Sequence, residues 1–237
     1  MDEKLTIYIA APLFNAADTY FNSQIAERLE KIGYATNLPQ RDGFEFGNLE
    51  KALTDYLNPD QVGPAVQNVI YFLDMGVLVP DSDVVLARLD EPLDEGAVVE
   101  LTRAKDMDKC TIGFRTDART PYGSSEDDLK GMHFFPAYQC NEFISHYMPS
   151  KTPEEREQQM ESLIEKIDQT IEEAEIIPKK ELPDYITSNP NINSILEGAE
   201  LLFQGISDIH SREGLKKIAS RYLDYETELG KIKPKVR

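Results

Sequence analysis

The stretch from Asp83 to Leu101 limits the possible folds more than any other part of the chain. Val84 to Leu89 is apolar and β-branched enough for a buried strand, and Asp90-Glu91-Pro92-Leu93-Asp94-Glu95-Gly96 reads as a turn. From Ala97 to about Met107 the pattern is helical. A buried strand that leaves through a helix implies a parallel partner, because a parallel connection needs a crossover of that size. The same alternation occurs on either side. Leu5 to Ala11 is a β-rich run broken by Pro12. Phe21, Ile25, Leu29 and Ile32 then recur at helical spacing, Gly33 closes that helix, and Tyr34 to Leu38 forms a second strand before Pro39. Val66, Ile70, Leu73 and Val77 share a helical face that ends before Pro80, and Thr111 to Phe114 is a strand after the helix from Ala97. Serial β-loop-α-β units predict an α/β fold, a doubly wound parallel sheet with helices on both faces.

Arg115 to Gly131 is rich in charge, Gly and Ser, and reads as a long loop over the carboxyl edge of the sheet. Met132 to Met148 returns to apolar patterning. At Thr152-Pro153-Glu154-Glu155 a capping box opens an amphipathic helix whose stripe is Met160, Leu163, Ile164, Ile167 and Ile171. Two further helical patterns follow, Ile192 to Ile209 and Leu215 to Leu229. The expected organisation is an α/β domain over 1–148 and an all-helical C-terminal extension over 149–237.

Charge narrows the ligand. With 43 acidic against 25 basic residues and a formal net charge of −18, the surface repels polyphosphate, which argues against a nucleic-acid partner. A small neutral molecule meets no such penalty. No apolar run is long enough for a membrane span, and Met1-Asp2-Glu3-Lys4 leads directly into a strand pattern, so the expected location is the cytoplasm. Cys110 and Cys140 lack CxxC spacing and read as buried thiols. His133, His146 and His210 show no triad or metal-ligand spacing, and GxSxG, GxxxxGK[ST] and GxGxxG are absent. Carboxylate chemistry is left as the leading option, and it needs neither metal nor organic cofactor.

Glu100 is read as a first-turn acid of the helix after the acidic loop, where the helix dipole favours its ionised form. At the carboxyl end of a strand in an open α/β sheet, where ligands bind, such a carboxylate can attack an electrophilic sugar carbon. It is also ordinary helix chemistry. Asp94, across Gly96, could converge with Glu100 on one ligand, the two carboxyls splitting the roles of nucleophile and proton donor. A solvated acidic turn explains Asp94 equally simply, and Asp90, Glu91 and Glu95 read as mostly surface. Tyr8, alternating with Ile7 and Ile9, projects from the opposite face of its strand, where a phenol could orient a carboxylate or simply fill the core. Asp74 stands beside an apolar helical face, a costly place for a carboxylate that is neither solvated nor paired.

Five segments taken in order resemble the nucleoside 2-deoxyribosyltransferase family: Ile7 to Phe14, Leu38-Pro39-Gln40-Arg41-Asp42-Gly43, Asp83 to Ala87, Asp94-x-Gly96-x-x-x-Glu100, and Gly113-Phe114-Arg115-Thr116-Asp117-Ala118-Arg119. The resemblance covers about residues 5 to 145 and implies a flavodoxin-like fold. It also implies exchange of the base of a 2′-deoxyribonucleoside for another free base, with retention at the anomeric carbon. By motif, Glu100 would be the nucleophile and Tyr8 its orienting partner, while Asp94 and Asp74 would contact and protonate the base. Asn141 is the candidate for the asparagine that a neighbouring subunit supplies to the sugar hydroxyls, so a homo-oligomer is implied. The helical extension goes beyond the family pattern.

Overall fold

The computed structural model describes residues 5–44, 46–176 and 182–232. Five strands, β1 (Thr6–Ala10), β2 (Ala35–Asn37), β3 (Val84–Arg88), β4 (Cys110–Arg115) and β5 (Glu142–Ser145), form one sheet in the order β2-β1-β3-β4-β5, every pair parallel. This is the flavodoxin-like doubly wound order. The connections reverse direction between β1 and β3, so the crevice outside the carboxyl ends of these two strands is the place where such a sheet takes a ligand. Of the strands, β5 was not legible: Glu142, Phe143, Ile144 and Ser145 put one buried residue, Ile144, on an edge, which gives too little apolar pattern to read.

Helices cover both faces. Ile7, Ile9, Leu86, Ile112 and Phe114 pack on one side with Ile25 and Leu29 of α1 (Ala16–Ile32) and with Leu163 and Ile167 of α7 (Pro153–Glu173). Tyr8, Val85 and Ala87 alternate with that set, so they project from the other face, which α5 (Glu95–Asp106) covers with Ala97, Leu101 and Ala104. Both helices on the first side start on their caps. Asn15 Oδ1 accepts from the Ala17 and Asp18 amides of α1, and Gly33 closes that helix at φ 117°. Thr152 Oγ1 accepts from the Glu155 amide, and the Glu155 carboxylate takes the Lys151 amide, one residue short of the reciprocal box.

The chain forms two compact units, one from Met1–Leu38 and Val79–Leu182, the other from Pro39–Leu78 and Pro183–Arg237. The segment after residue 148 contributes to both: α7 buries its stripe on the sheet of the first unit. The second unit is helical, with α2 (Pro39–Asp42), α3 (Phe46–Thr54), α4 (Pro59–Leu73), a π-helical turn (Asp74–Leu78), α8 (Asp184–Thr187), α9 (Pro190–Phe203), α10 (Arg212–Asp224) and α11 (Glu226–Leu229). In the first unit a short helix, α6 (Phe134–Ala137), precedes β5. In the second, α3 packs on α10 and α4 on α9, and the Asn68 amide donates to the Leu229 carbonyl at 3.3 Å. Of the face expected on α4, Val66 and Leu73 are buried, while Ile70 is half-buried at the border of the buried face, which runs through Val62, Ala65, Val69 and Phe72, and Val77 is half-buried in the π-turn.

Candidate active site

The loop from β3 to α5 carries the acidic cluster, and its carboxylates divide into separate jobs. Asp94 is the N-cap of α5: its Oδ1 accepts from the Ala97 amide at 2.8 Å. The other carboxylate oxygen has no protein partner among the described residues. A Cβ on Gly96 would stand 3.1 Å from that capping oxygen, so a residue with no side chain keeps the carboxylate uncrowded. The helix begins at Glu95, two residues earlier than its apolar pattern suggests, because Asp94 caps it and Glu95 and Gly96 add nothing to the stripe. Glu100 therefore lies in the second turn and not the first, beyond the reach of the end charge. It stands one turn from both Ala97 and Ala104, at the border of the sheet-facing stripe, and is half-buried.

Tyr8 is fully buried at the centre of β1, beside Val85 in the register and on the sheet face that α5 covers. α5 packs on β1, β3 and β4, so the helix that carries Glu100 covers the sheet face from which Tyr8 projects.

Asp90 is not a surface residue. It accepts from the Thr116 amide at 2.6 Å, the Thr116 hydroxyl at 2.7 Å, the Asp117 amide at 3.1 Å and Arg88 Nε at 2.6 Å. Burial pushes its carboxyl up, but the Thr116 hydrogen bonds and the Arg88 guanidinium outweigh burial and hold it below the usual range. Asp117 returns the tie by accepting from the Glu91 amide at 2.6 Å and from Arg115 Nη2 at 2.7 Å. Arg88 also reaches Asp18 of α1 at 3.1 Å and lies 4.6 Å from the centre of the Phe21 ring. The carboxyl ends of β3 and β4 are thus laced together under the acidic loop. The signal was present in the sequence as a repeated Arg-x-Asp, Arg88/Asp90 and Arg115/Asp117, at the ends of two neighbouring strands. Glu91 is half-buried through this tie, and Glu95 is exposed as expected.

Asp74 belongs to the second unit, where it ends α4 and opens the π-turn. Burial pushes its carboxyl from 3.8 to about 7. Asn141 precedes β5 at the amino edge of the sheet, the edge opposite Asp94. Its Oδ1 accepts from the Thr111 amide at 3.1 Å and the Thr111 hydroxyl at 2.6 Å. Cys110 and Cys140 are free thiols that burial pushes up to about 11 and about 12, which makes them poor nucleophiles. Among the described residues, no group of His, Cys, Asp and Glu could hold a metal ion, and no helix is long and apolar enough to cross a membrane.

Residues 7–133, more than half of the chain, match the family described as nucleoside 2-deoxyribosyltransferase. No curated protein matches the sequence. Similar solved structures include a conserved protein from Enterococcus faecalis V583, at 20% identity over 71% of this chain and 99% of that one, with a TM-score of 0.46. A CMP N-glycosidase from Clostridium botulinum is similar at 14% identity over 70% and 98%, TM-score 0.39. The sugar isomerase domain of an RpiR transcription factor from Sphaerobacter thermophilus is similar at 13% identity over 71% of each chain, TM-score 0.35.

Proposed function

The chain belongs to the nucleoside 2-deoxyribosyltransferase family, and from that premise we propose that it exchanges the nucleobase of a 2′-deoxyribonucleoside for a free base. The Glu100 carboxylate attacks the anomeric carbon, the bond to the base breaks, and the base leaves with a proton supplied by a carboxylic acid. A second base then attacks the same carbon, releases Glu100 and gives net retention. Tyr8 orients the nucleophile. Asp94 and Asp74 handle the base, and a carboxyl raised to about 7 holds a transferable proton near neutral pH. Asn141 of a neighbouring copy would meet the sugar hydroxyls, which makes the working form a homo-oligomer. No metal or organic cofactor is required by this chemistry.

The observation that carries the reading is the position of Glu100, half-buried at the border of the stripe that α5 lays on the sheet, on the helix that leaves the carboxyl edge at the switch point. A solvated surface acid would lie on the far face of that helix. The test is to incubate the protein with deoxyadenosine and cytosine. Deoxycytidine is the expected product. Free deoxyribose with no deoxycytidine would assign the site to hydrolysis, and an intact deoxyadenosine pool would remove the enzymatic reading altogether.

A further inference from the structure

The second unit contains a close approach that sequence periodicity does not reveal. A Cβ built on Gly76, in the middle of the π-turn, would lie 2.5 Å from the Ala199 Cβ and 3.0 Å from the Ile195 carbonyl oxygen. Ile195 and Ala199 are one turn apart on α9, so the π-turn rests in the groove between them. Beside that contact, a Cβ on Gly198 would fall 2.1 Å from Phe72 Cε1, at the end of α4. Two glycines on opposing elements thus allow α9 to seat on the junction of α4 and the π-turn, the residue at that junction being Asp74. Single π-turns within helices commonly occur at functional sites, since they re-aim a side chain.

We propose that α9 of the C-terminal extension is a positioning element for Asp74, its Ile195–Ala199 groove gripping Gly76 and fixing the π-turn that aims the carboxyl. The proposal rests on the reading of Asp74 as a base-handling acid and gives the extension a task within it. Ala199, Ile195 and Gly76 act through Asp74 and touch no substrate. The elements packed on the π-turn, α4 and α9, carry Asp60, Glu197 and Glu200 as their charged residues, and all three are exposed. Burial is accordingly the cause of the raised Asp74 carboxyl, and a looser seat for α9 admits water and lowers it.

The test compares Gly76→Ala, Ala199→Gly and the double variant with Asp74→Asn. A proton donor loses activity as it ionises, so Asp74 governs the alkaline limb of kcat. Gly76→Ala is expected to move that limb to lower pH and to cut kcat at pH 7 by about tenfold with a smaller change in KM. Adding Ala199→Gly removes the larger clash and should return the limb toward the wild-type position, a rescue that a general loss of stability would not show. If Gly76→Ala fails to fold, Ala199→Gly alone opens the same contact, and carbon-13 NMR titration of Asp74 should then read a lowered midpoint. An unmoved alkaline limb and an unmoved Asp74 midpoint in folded variants would overturn the proposal even where Asp74→Asn is impaired. Normal exchange by Asp74→Asn would instead remove the role of Asp74 itself, while the NMR midpoint still reports on the grip of α9.

Discussion

Asp90 and Asp74 are both withdrawn from solvent, yet their surroundings push them in opposite directions, and each leaves its own signature in stability. Asp90 is held low, so it contributes stability above the ordinary carboxylate pKa and loses it as pH falls below about 4. Asp74 is held high, at about 7. Between about pH 4 and pH 7 the native protein retains a proton that the unfolded chain has released, so stability falls as pH rises, by up to about 4 kcal/mol at pH 8. Asp74→Asn is predicted to remove that slope. Urea denaturation at pH 4.5 and pH 8 should find the variant little changed at the lower pH and more stable than wild type at the higher. Asp90→Ala removes one of the two carboxylate partners of Arg88 and the acceptor of the Thr116 hydroxyl and two backbone amides, and should cost about 2–4 kcal/mol at neutral pH, read by the same method. These residues also mark where residue-level reading reached its limit. Glu100, Tyr8 and Asp94 were picked out by spacing and resemblance. Asp90 looks like a surface acid in the sequence because its partners, Thr116 and Asp117, follow directly after the next strand, and only pairing of β3 with β4 brings them together.

At the scale of the element, α5 couples helix stability to the acidic loop through a single oxygen. Asp94 Oδ1 caps the helix that carries Glu100. Asn is as good an N-cap as Asp but cannot supply a proton. Asp94→Asn should therefore keep stability within about 0.5 kcal/mol of wild type while base exchange slows, whereas Asp94→Ala should lose about 1 kcal/mol as well. Wild-type exchange by Asp94→Asn, with exchange and stability lost together only in Asp94→Ala, would reduce Asp94 to a cap. Helix termini are legible where a cap or an αL glycine stands at the end of the apolar pattern, as at Gly33 and Thr152, whereas the Asn15 cap of α1 carries no such pattern beside it. The start of α5 lies two residues before its apolar pattern because its first residues, Glu95 and Gly96, face solvent.

For the whole molecule, a doubly wound parallel sheet was foreseeable from alternating β and α patterns, since few topologies accommodate that alternation, but its fifth strand was not. The assignment of elements to compact units was not. Residues 39–78 lie between two strands of the sheet in sequence, yet they build the second unit with helices from beyond residue 183. Amphipathic stripes tell that a helix buries a face and not which partner covers it. The proposed use of a neighbouring copy's Asn141 belongs to this scale. Light scattering should find an oligomer, and specific activity should fall on dilution below its dissociation constant; a fully active monomer would contradict that part of the account.

The central claim is that Glu100 forms a covalent bond to the sugar, and intact-mass spectrometry tests it most directly. After mixing with a 2′-deoxyribonucleoside and rapid acid quench, the wild-type chain should gain the mass of one deoxyribosyl group, and Glu100→Ala should show no gain. Base exchange with no adduct on the wild type, or the same adduct on Glu100→Ala, would contradict the mechanism.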